Sequence, residues 1–289
     1  MNVTKTIALP TQNELPCDDG IPMETQRHKM QMDLLLDSLY PWLEKRDNGY
    51  IGGNMFIYYS AAQVKNQDFK GPDFFAVLNV SKVERKSWVV WEEGKAPDVI
   101  IELLSESTAN IDKTEKKDIY QNQMRVPEYF WYDPFNPEDF VGFRLSGMMY
   151  QPLILNEQQG YFSDVLQLYL VRWEGSYRGV TTTWLRWADL EGNLLPTGEE
   201  LVKQTQEEAK VRQLEAQQAQ LEAQQARIEA QQAQTEAQQA QTEAQQAQTE
   251  AQQAQTEAQQ AQTEAQQAQA EKEKLAAKLR EMGIDPNNV

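Results

Sequence analysis

The sequence predicts an α/β domain followed by a long helical tail, and three observations lead to this prediction. Residues 98–104 are a short run rich in Val, Ile and Leu behind a proline, which is typical of a strand buried on both faces of a sheet. A helical pattern and an aromatic strand follow within about 35 residues, which predicts a crossover between parallel strands. From about residue 199 onward, a seven-residue repeat dominated by Ala, Gln and Glu takes over.

Composition sets the expected boundaries of these parts. The aromatic residues end before about residue 190, and the chain beyond that point has too few large apolar side chains to build a core. We therefore expect a flexible leader over residues 1–22, a globular domain over residues 23–197 and a helical tail over residues 198–289.

The first predicted element is a helix over residues 24–43. Leucine and methionine recur there at helical spacing, and Pro41 is expected to end the helix because proline interrupts the backbone hydrogen bonds. Glycines at Gly49, Gly52 and Gly53 follow closely. They lack the spacing and the strand-to-helix context of a phosphate-binding loop, so they predict a hairpin.

The predicted strands come next, beginning behind Pro72-Asp73. The β-prone runs are residues 74–80, 88–91, 98–104, 129–132, 153–155, 166–171 and 182–185, and a helical pattern covers residues 112–124. The two strands that flank this helix are expected to be parallel, because the helix carries the chain back to the same edge of the sheet. The later runs alternate with turns, which predicts antiparallel additions.

The tail repeats the unit Ala-Gln-Gln-Ala-Gln-Thr-Glu. Its alanines fall at 3-4 spacing, the pattern of the a and d positions of a coiled coil, and its residues favour helix. An alanine seam buries little apolar area, so weak association is expected. A long, loosely self-associating helix and a mostly disordered chain both remain open. Leu275, Leu279 and Met282 add a more apolar face near the end.

The remaining composition excludes several classes of protein. Cys17 and His28 are the only cysteine and histidine, which excludes an intrachain disulfide and a zinc site built from Cys and His. The sequence has no signal-peptide pattern and no apolar run near the roughly 18 residues of a membrane span, so we expect a soluble cytoplasmic protein without a membrane partner. The net charge of −17 disfavours general attraction to nucleic acid, although basic residues cluster over residues 82–86 and 113–117.

Glu102 is the sharpest indication of chemistry, because it lies inside an otherwise apolar predicted strand. A buried carboxylate is costly unless it is paired or holds a metal. Asp73 begins the preceding predicted strand, and Asp98 shares the face of Glu102 because strand side chains alternate. Asp73, Glu102 and Asp98 are therefore candidate ligands of Mg²⁺ or Mn²⁺, and Lys116, on the following helix, is a candidate to orient or deprotonate water.

A combined pattern of residues also carries a family resemblance. It consists of residues 96–108, Asp112, Glu115-Lys116, Tyr120 and residues 126–134. This pattern resembles the Uma-two family, restriction-endonuclease-like proteins of the PD-(D/E)XK nuclease superfamily that are abundant in cyanobacteria. The resemblance covers about residues 20–190 and leaves most of the tail outside it.

The resemblance implies a restriction-endonuclease-like mixed sheet with flanking helices and a Mg²⁺-dependent endonuclease that hydrolyses DNA. Asp73 stands where the superfamily has the Asp of its PD motif, and Glu102 stands at the acidic residue of (D/E)XK. Leu104 stands where that motif has lysine, so the resemblance suggests Lys116 for this role, with two neighbouring lysines of the same helix as alternatives. Enzymes of this superfamily often cut as dimers, and the tail offers a route to a homodimer or a larger assembly.

Other interpretations of the same residues remain open. Asp73 is also suited to a turn before a strand, and Glu102 and Lys116 are also suited to a structural salt bridge. At the level of function, one alternative is a catalytically inactive module that binds nucleic acid or protein. The other is an assembly protein that oligomerises through its helical tail.

Overall fold

The computed structural model describes residues 9–17, 25–60, 69–157 and 159–283. Most of the predicted leader lies outside these residues. Its described part, residues 9–17, lies against the domain: the main-chain oxygen of Pro16 accepts a hydrogen bond from the Tyr58 hydroxyl at 2.6 Å, and that of Pro10 accepts one from Trp91 Nε1 at 3.0 Å. Specific contacts therefore hold this segment.

Helix α1 runs from Gln26 to Glu44 and packs on the main sheet. The Thr25 side chain caps it by accepting a hydrogen bond from a main-chain amide of the first turn. The helix continues through Pro41, so the predicted end at this proline is wrong. Leu39 and Leu43 lie on either side of the proline and are both buried, and this packing offsets the lost backbone hydrogen bond.

The described residues also form twelve strands and three further helical segments. The strands are β1 (Tyr50–Gly52), β2 (Ile57–Tyr58), β3 (Phe69–Lys70), β4 (Phe74–Val77), β5 (Trp88–Val89), β6 (Val99–Leu103), β7 (Glu128–Tyr132), β8 (Phe140–Ser146), β9 (Met149–Pro152), β10 (Gly160–Ser163), β11 (Leu168–Tyr177) and β12 (Val180–Ala188). The helices after α1 are α2 (Val90–Glu93), a helix over residues 109–124 that we name the site helix, and the tail helix (Gly198–Glu281).

The largest sheet has the strand order β1-β4-β6-β7-β8-β9. Strands β6 and β7 are parallel, and the other neighbours in this sheet are antiparallel, so the sheet is mixed. The predicted crossover is confirmed, because the site helix connects the two parallel strands. Two smaller sheets, β10-β11-β12 and β3-β2-β5, complete the domain.

The main sheet separates two apolar clusters. On one face, Ile101 and Leu103 of β6 pack in the cluster that includes α1. On the other face, Ile100 and Leu104 pack in the cluster that includes the site helix. Side chains alternate along a strand, so the single carboxylate of β6, Glu102, belongs to the site-helix face.

Several predicted strands differ from the observed ones. Residues 74–80 form a strand only to Val77, and the chain then turns through Asn79, whose φ is 60°. In the run 88–91, the strand β5 ends at Val89 and α2 begins at once. Residues 153–155 form no strand, and two of their leucines pack on the core from a loop. Apolar runs this short are compatible with either structure, so tertiary packing decides them.

The tail helix is 84 residues long and has no buried residue. By contacts the chain divides into two compact units, Met1–Glu207 and Glu208–Val289, so the first turns of this helix belong to the domain. The mixed-sheet α/β fold and the long C-terminal helix confirm the predicted fold class, whereas the predicted domain boundaries stay predictions. Among the described residues, no helix is long and apolar enough to cross a membrane.

Candidate active site

Glu102 lies inside β6 and is fully buried between the sheet and the site helix. Each of its carboxylate oxygens faces a different side chain of that helix. Oε1 accepts a hydrogen bond from the Tyr120 hydroxyl at 2.6 Å, and Oε2 lies 3.0 Å from Lys116 Nζ. The predicted proximity of Glu102 and Lys116 is therefore present in the structure.

Asp112 is the second buried carboxylate of the cluster. Its Oδ1 lies 2.7 Å from Lys116 Nζ, so one ammonium group bridges Asp112 and Glu102. Asp112, Lys116 and Tyr120 are four residues apart, a spacing that an α-helix offsets by about 40° at each step. The site helix contains two π-helical turns, Asp112–Lys116 and Tyr120–Met124, and the first of them reduces the rotation per residue between Asp112 and Lys116.

Asp73 joins this cluster from the neighbouring strand. It precedes β4, and the antiparallel pairing of Phe74 with Ile101 brings it beside the end of β6. Its Oδ2 accepts a hydrogen bond from the main-chain amide of Leu103, the residue after Glu102, at 2.7 Å. The structure therefore assembles Asp73, Glu102 and Lys116 at one end of the sheet, as expected from the sequence.

Asp98 is the predicted ligand that the structure keeps apart from this cluster. It comes before β6, four residues from Glu102, which corresponds to about 13 Å along a strand. Its carboxylate lies 2.8 Å from Lys95 Nζ and accepts a hydrogen bond from the main-chain amide of Leu78 at 2.7 Å. A shared strand face was not sufficient to bring Asp98 to Glu102, because Asp98 lies at the opposite end of the strand. There it pairs with Lys95 of the preceding loop.

The two neighbouring lysines of the site helix have other partners. Lys113 Nζ lies 2.5 Å from Asp139 Oδ2, and Lys117 Nζ lies 4.0 Å from the centre of the Phe143 ring. Lys116 is therefore the lysine of this helix that the fold places at Glu102.

A family model described as "Uma2: Putative restriction endonuclease" matches residues 12–170, slightly more than half of the 289 residues. The chain belongs to the Uma2 family. The match spans Asp73, Glu102, Asp112, Lys116 and Tyr120 and leaves the tail helix outside it.

A crystal structure described as a "putative nuclease belonging to DUF820", from Anabaena variabilis, is also similar to this Uma2 chain. The similarity has 14% sequence identity and a TM-score of 0.33, and it covers 50% of this chain and 84% of that one. No curated protein matches the sequence.

Burial dominates the protonation of the Uma2 cluster. Desolvation raises the pKa of Glu102 to about 8, against the opposing effect of the Lys116 charge, and the nearby Asp112 and Asp73 raise it further. Desolvation would by itself lower the pKa of Lys116, but the carboxylates of Glu102 and Asp112 outweigh it and raise that pKa above its usual range. Lys116 therefore stays a protonated donor at neutral pH.

The donor set of this Uma2 site fits a hard divalent cation. Asp73, Glu102 and Asp112 bring three carboxyl groups to the site, and carboxylate oxygens are the ligands that a hard cation prefers. Mg²⁺ accepts one or two protein carboxylates and keeps several waters. The described residues contain no group of three or more Asp, Glu, His or Cys arranged to hold a metal. The fit is therefore to a water-rich site with two protein ligands, not to a closed protein cage.

Sequence reasoning assigned no role to Asp112 and Tyr120, although both belonged to the pattern that resembles the family. A signal was present, because each lies four residues from Lys116 and so on the same side of the helix. The sequence did not show which strand packs against this side of the helix.

Proposed function

We propose that this protein is a Mg²⁺-dependent endonuclease, also served by Mn²⁺, that hydrolyses DNA phosphodiester bonds. One observation carries the proposal: Glu102, fully buried inside β6, faces Lys116 at 3.0 Å beside Asp73, in a chain of the Uma2 family. A buried charged cluster costs stability, and a catalytic role gives a reason to keep it.

Asp73 and Glu102 are the residues that would hold the cation. Glu102 brings an oxygen from inside the strand, and Asp73 brings its carboxylate from the start of β4, where the hydrogen bond from Leu103 fixes it. When bound, a divalent cation supplies Lewis-acid stabilisation of phosphoryl oxygen charge and lowers the pKa of bound water.

Lys116 acts as a cationic donor in this proposal. Because its pKa is raised, it does not take a proton from water at neutral pH, and its ammonium instead orients the attacking water and stabilises charge on the phosphate. Asp112 holds the ammonium on this side of the helix at 2.7 Å. Of the two roles that the sequence left open for this lysine, the electrostatics favour positioning over deprotonation.

The test is cleavage of supercoiled plasmid with Mg²⁺ or Mn²⁺ by the full chain and by Asp73→Ala, Glu102→Gln and Lys116→Met. We expect metal-dependent nicking that each substitution lowers at least a hundredfold. Glu115→Ala is the matched control, because this exposed carboxylate lies beside Lys116 in the chain and pairs with Lys70 instead. Equal cleavage by Glu102→Gln and the full chain would contradict the proposal.

A binding module without catalysis is the second candidate, and the Lys116 bridge favours it to some extent. One ammonium between two buried carboxylates is also the form that a purely structural salt bridge takes. This candidate predicts DNA retention in a gel-shift experiment, no cleavage, and no rise in melting temperature with Mg²⁺ or Mn²⁺.

We further propose that the tail helix joins two copies of this chain. Leu275, Leu279 and Met282 lie in the a and d phase of the alanines, after Lys272 at the preceding a position, and Leu275 and Met282 are 63% and 66% exposed. The repeats place Glu before the alanine at a and, apart from Arg227, Gln after the alanine at d. A parallel pair sets Glu against Gln, whereas an antiparallel pair sets Glu against Glu, so the charges favour the parallel pair. Two catalytic domains in one assembly would suit cleavage of both DNA strands.

A further inference from the structure

The hydroxyl of Tyr120 contacts a residue that the proposed chemistry needs. We propose that Tyr120 is a positioning residue, which fixes the orientation of the Glu102 carboxylate so that it can bind the divalent cation. This inference rests on the proposed function and names a further residue of the same site.

The contact is short and its donor is rigid. Tyr120 is fully buried, and its hydroxyl donates to Glu102 Oε1 at 2.6 Å. The ring packs against Tyr129 with 5.2 Å between ring centres, so the hydroxyl has a fixed position. The last torsion of a glutamate side chain is soft, and its carboxylate rotates easily unless a partner holds it.

The two oxygens of Glu102 are held by different groups of the site helix. Tyr120 takes Oε1, and Lys116 lies at Oε2. These two contacts, from residues four apart, fix the plane of the carboxylate. With one contact alone, the carboxylate could still rotate. Lys116 and Tyr120 are one turn apart on the site helix, so the hydroxyl and the ammonium lie on the same side of it.

Other buried tyrosines of this core use a different type of partner. Tyr129 donates to the main-chain oxygen of Asp112 at 2.8 Å, and Tyr150 donates to that of Val126 at 2.9 Å. A neutral carbonyl is the ordinary way to satisfy a buried hydroxyl. The Tyr120 hydroxyl instead donates to a carboxylate that is costly to bury. This choice of partner indicates a role in the site in addition to packing in the core.

The test compares Tyr120→Phe with Tyr150→Phe in the full chain. Each substitution removes one buried hydroxyl from the same core, but only the first removes a contact to Glu102. The readout is Mn²⁺ affinity, measured from the electron paramagnetic resonance signal of free Mn²⁺. We expect Tyr120→Phe to weaken binding by about 10- to 100-fold, the usual range for a residue that holds a metal ligand, and Tyr150→Phe to leave it unchanged. Plasmid cleavage by Tyr120→Phe should recover at raised Mn²⁺.

The possible results distinguish failure of the positioning role of Tyr120 from failure of the proposed metal-dependent function. Absence of Mn²⁺ binding by the full chain, or equal binding by Glu102→Gln, overturns the proposed metal site and this inference with it. Binding that Glu102→Gln abolishes and Tyr120→Phe leaves unchanged overturns the positioning role alone. If Tyr120→Phe does not fold, Glu102→Asp replaces it, because the shorter side chain withdraws the carboxylate from the hydroxyl while keeping its charge. Unchanged Mn²⁺ affinity in Glu102→Asp would also overturn the inference.

Discussion

The site helix and the tail helix are formed by opposite kinds of force. The site helix covers residues 109–124 and buries Asp112, Ile119, Tyr120, Gln121 and Met124 against the main sheet. The tail helix is 84 residues long and buries none. Tertiary contacts hold the first in place, whereas local propensity and hydrogen bonds along the backbone hold the second.

This difference explains the irregularity of one helix and the regularity of the other. The site helix contains two π-helical turns, and its side chains contact partners on β6 and β7. The tail meets no such demand among the described residues, and its repeat of Ala, Gln and Glu favours the α-helix at nearly every position. Packing can therefore distort a helix for function, while propensity alone produces a uniform one.

Removing the Lys116 charge should have the largest effect on stability. Lys116→Met leaves Glu102 and Asp112 as buried carboxylates without their cation, and the free energy of unfolding should fall by about 3–5 kcal/mol. Urea unfolding followed by tryptophan fluorescence measures this. Lys203→Met is the control on the tail helix, because this lysine pairs with the exposed Glu199 at the surface, and it should show no measurable change. Equal effects of the two would refute the contrast between the helices.

A proline in the tail should have the next largest effect, and a purely local one. Gln239→Pro removes a backbone hydrogen bond in the middle of the tail helix and costs about 3 kcal/mol of helix stability. Circular dichroism at 222 nm should lose intensity, while the tryptophan unfolding transition should not move. Gln239→Ala controls for loss of the side chain. A shift of the tryptophan transition would show that the tail stabilises the domain.

Truncating the apolar end of the tail should weaken self-association. Leu275→Ala and Leu279→Ala each remove buried area from both chains of the proposed pair, at about 1.5 kcal/mol per chain, so the dissociation constant should rise about a hundredfold for each change. Leu221→Ala is the matched control, because Leu221 is 62% exposed, close to the 63% of Leu275, but lies two residues off the alanine seam. Sedimentation equilibrium measures the constants. The same loss in all three variants would contradict the proposed seam.

The contribution of Tyr50 to the loss of stability at alkaline pH should be the smallest of these effects. Burial raises the pKa of Tyr50 from 10.0 to about 12. Between these values the folded state keeps the phenolic proton that the unfolded chain releases, so the free energy of unfolding falls as the pH rises. Because Tyr50 is partly exposed, about 1 kcal/mol is expected from it. Urea unfolding from pH 9 to 12 measures this, and Tyr50→Phe should reduce the loss of stability by this amount while the other buried tyrosines keep their contributions.

Much of the fold and part of the site followed from sequence pattern. The apolar run at β6, the helix after it and the aromatic run at β7 predicted the parallel crossover, because period and composition are local properties. Strand alternation assigned Glu102 and Asp98 to the same face. It could not reveal that Asp98 pairs with Lys95, since that contact depends on how a loop folds at the strand end.

The end of α1 shows the same limit. Pro41 predicted the end of the helix from a local rule, yet the helix continues because Leu39 and Leu43 are buried against the sheet. Roles for Asp112 and Tyr120 stayed hidden for a related reason. Their spacing from Lys116 was visible in the sequence, but the carboxylate that the group surrounds lies on another element.

The sequence by itself determined the parallel crossover and predicted a domain followed by an Ala, Gln and Glu repeat, for which a helical and a disordered tail both stayed open. These depend on hydrophobic periodicity and helix propensity, which neighbouring residues specify. Only the tertiary structure decided which charges meet: Lys116 between Glu102 and Asp112, Tyr120 on Glu102, and Asp98 apart from them all. Electrostatic contacts depend on distances between elements, and packing sets those distances.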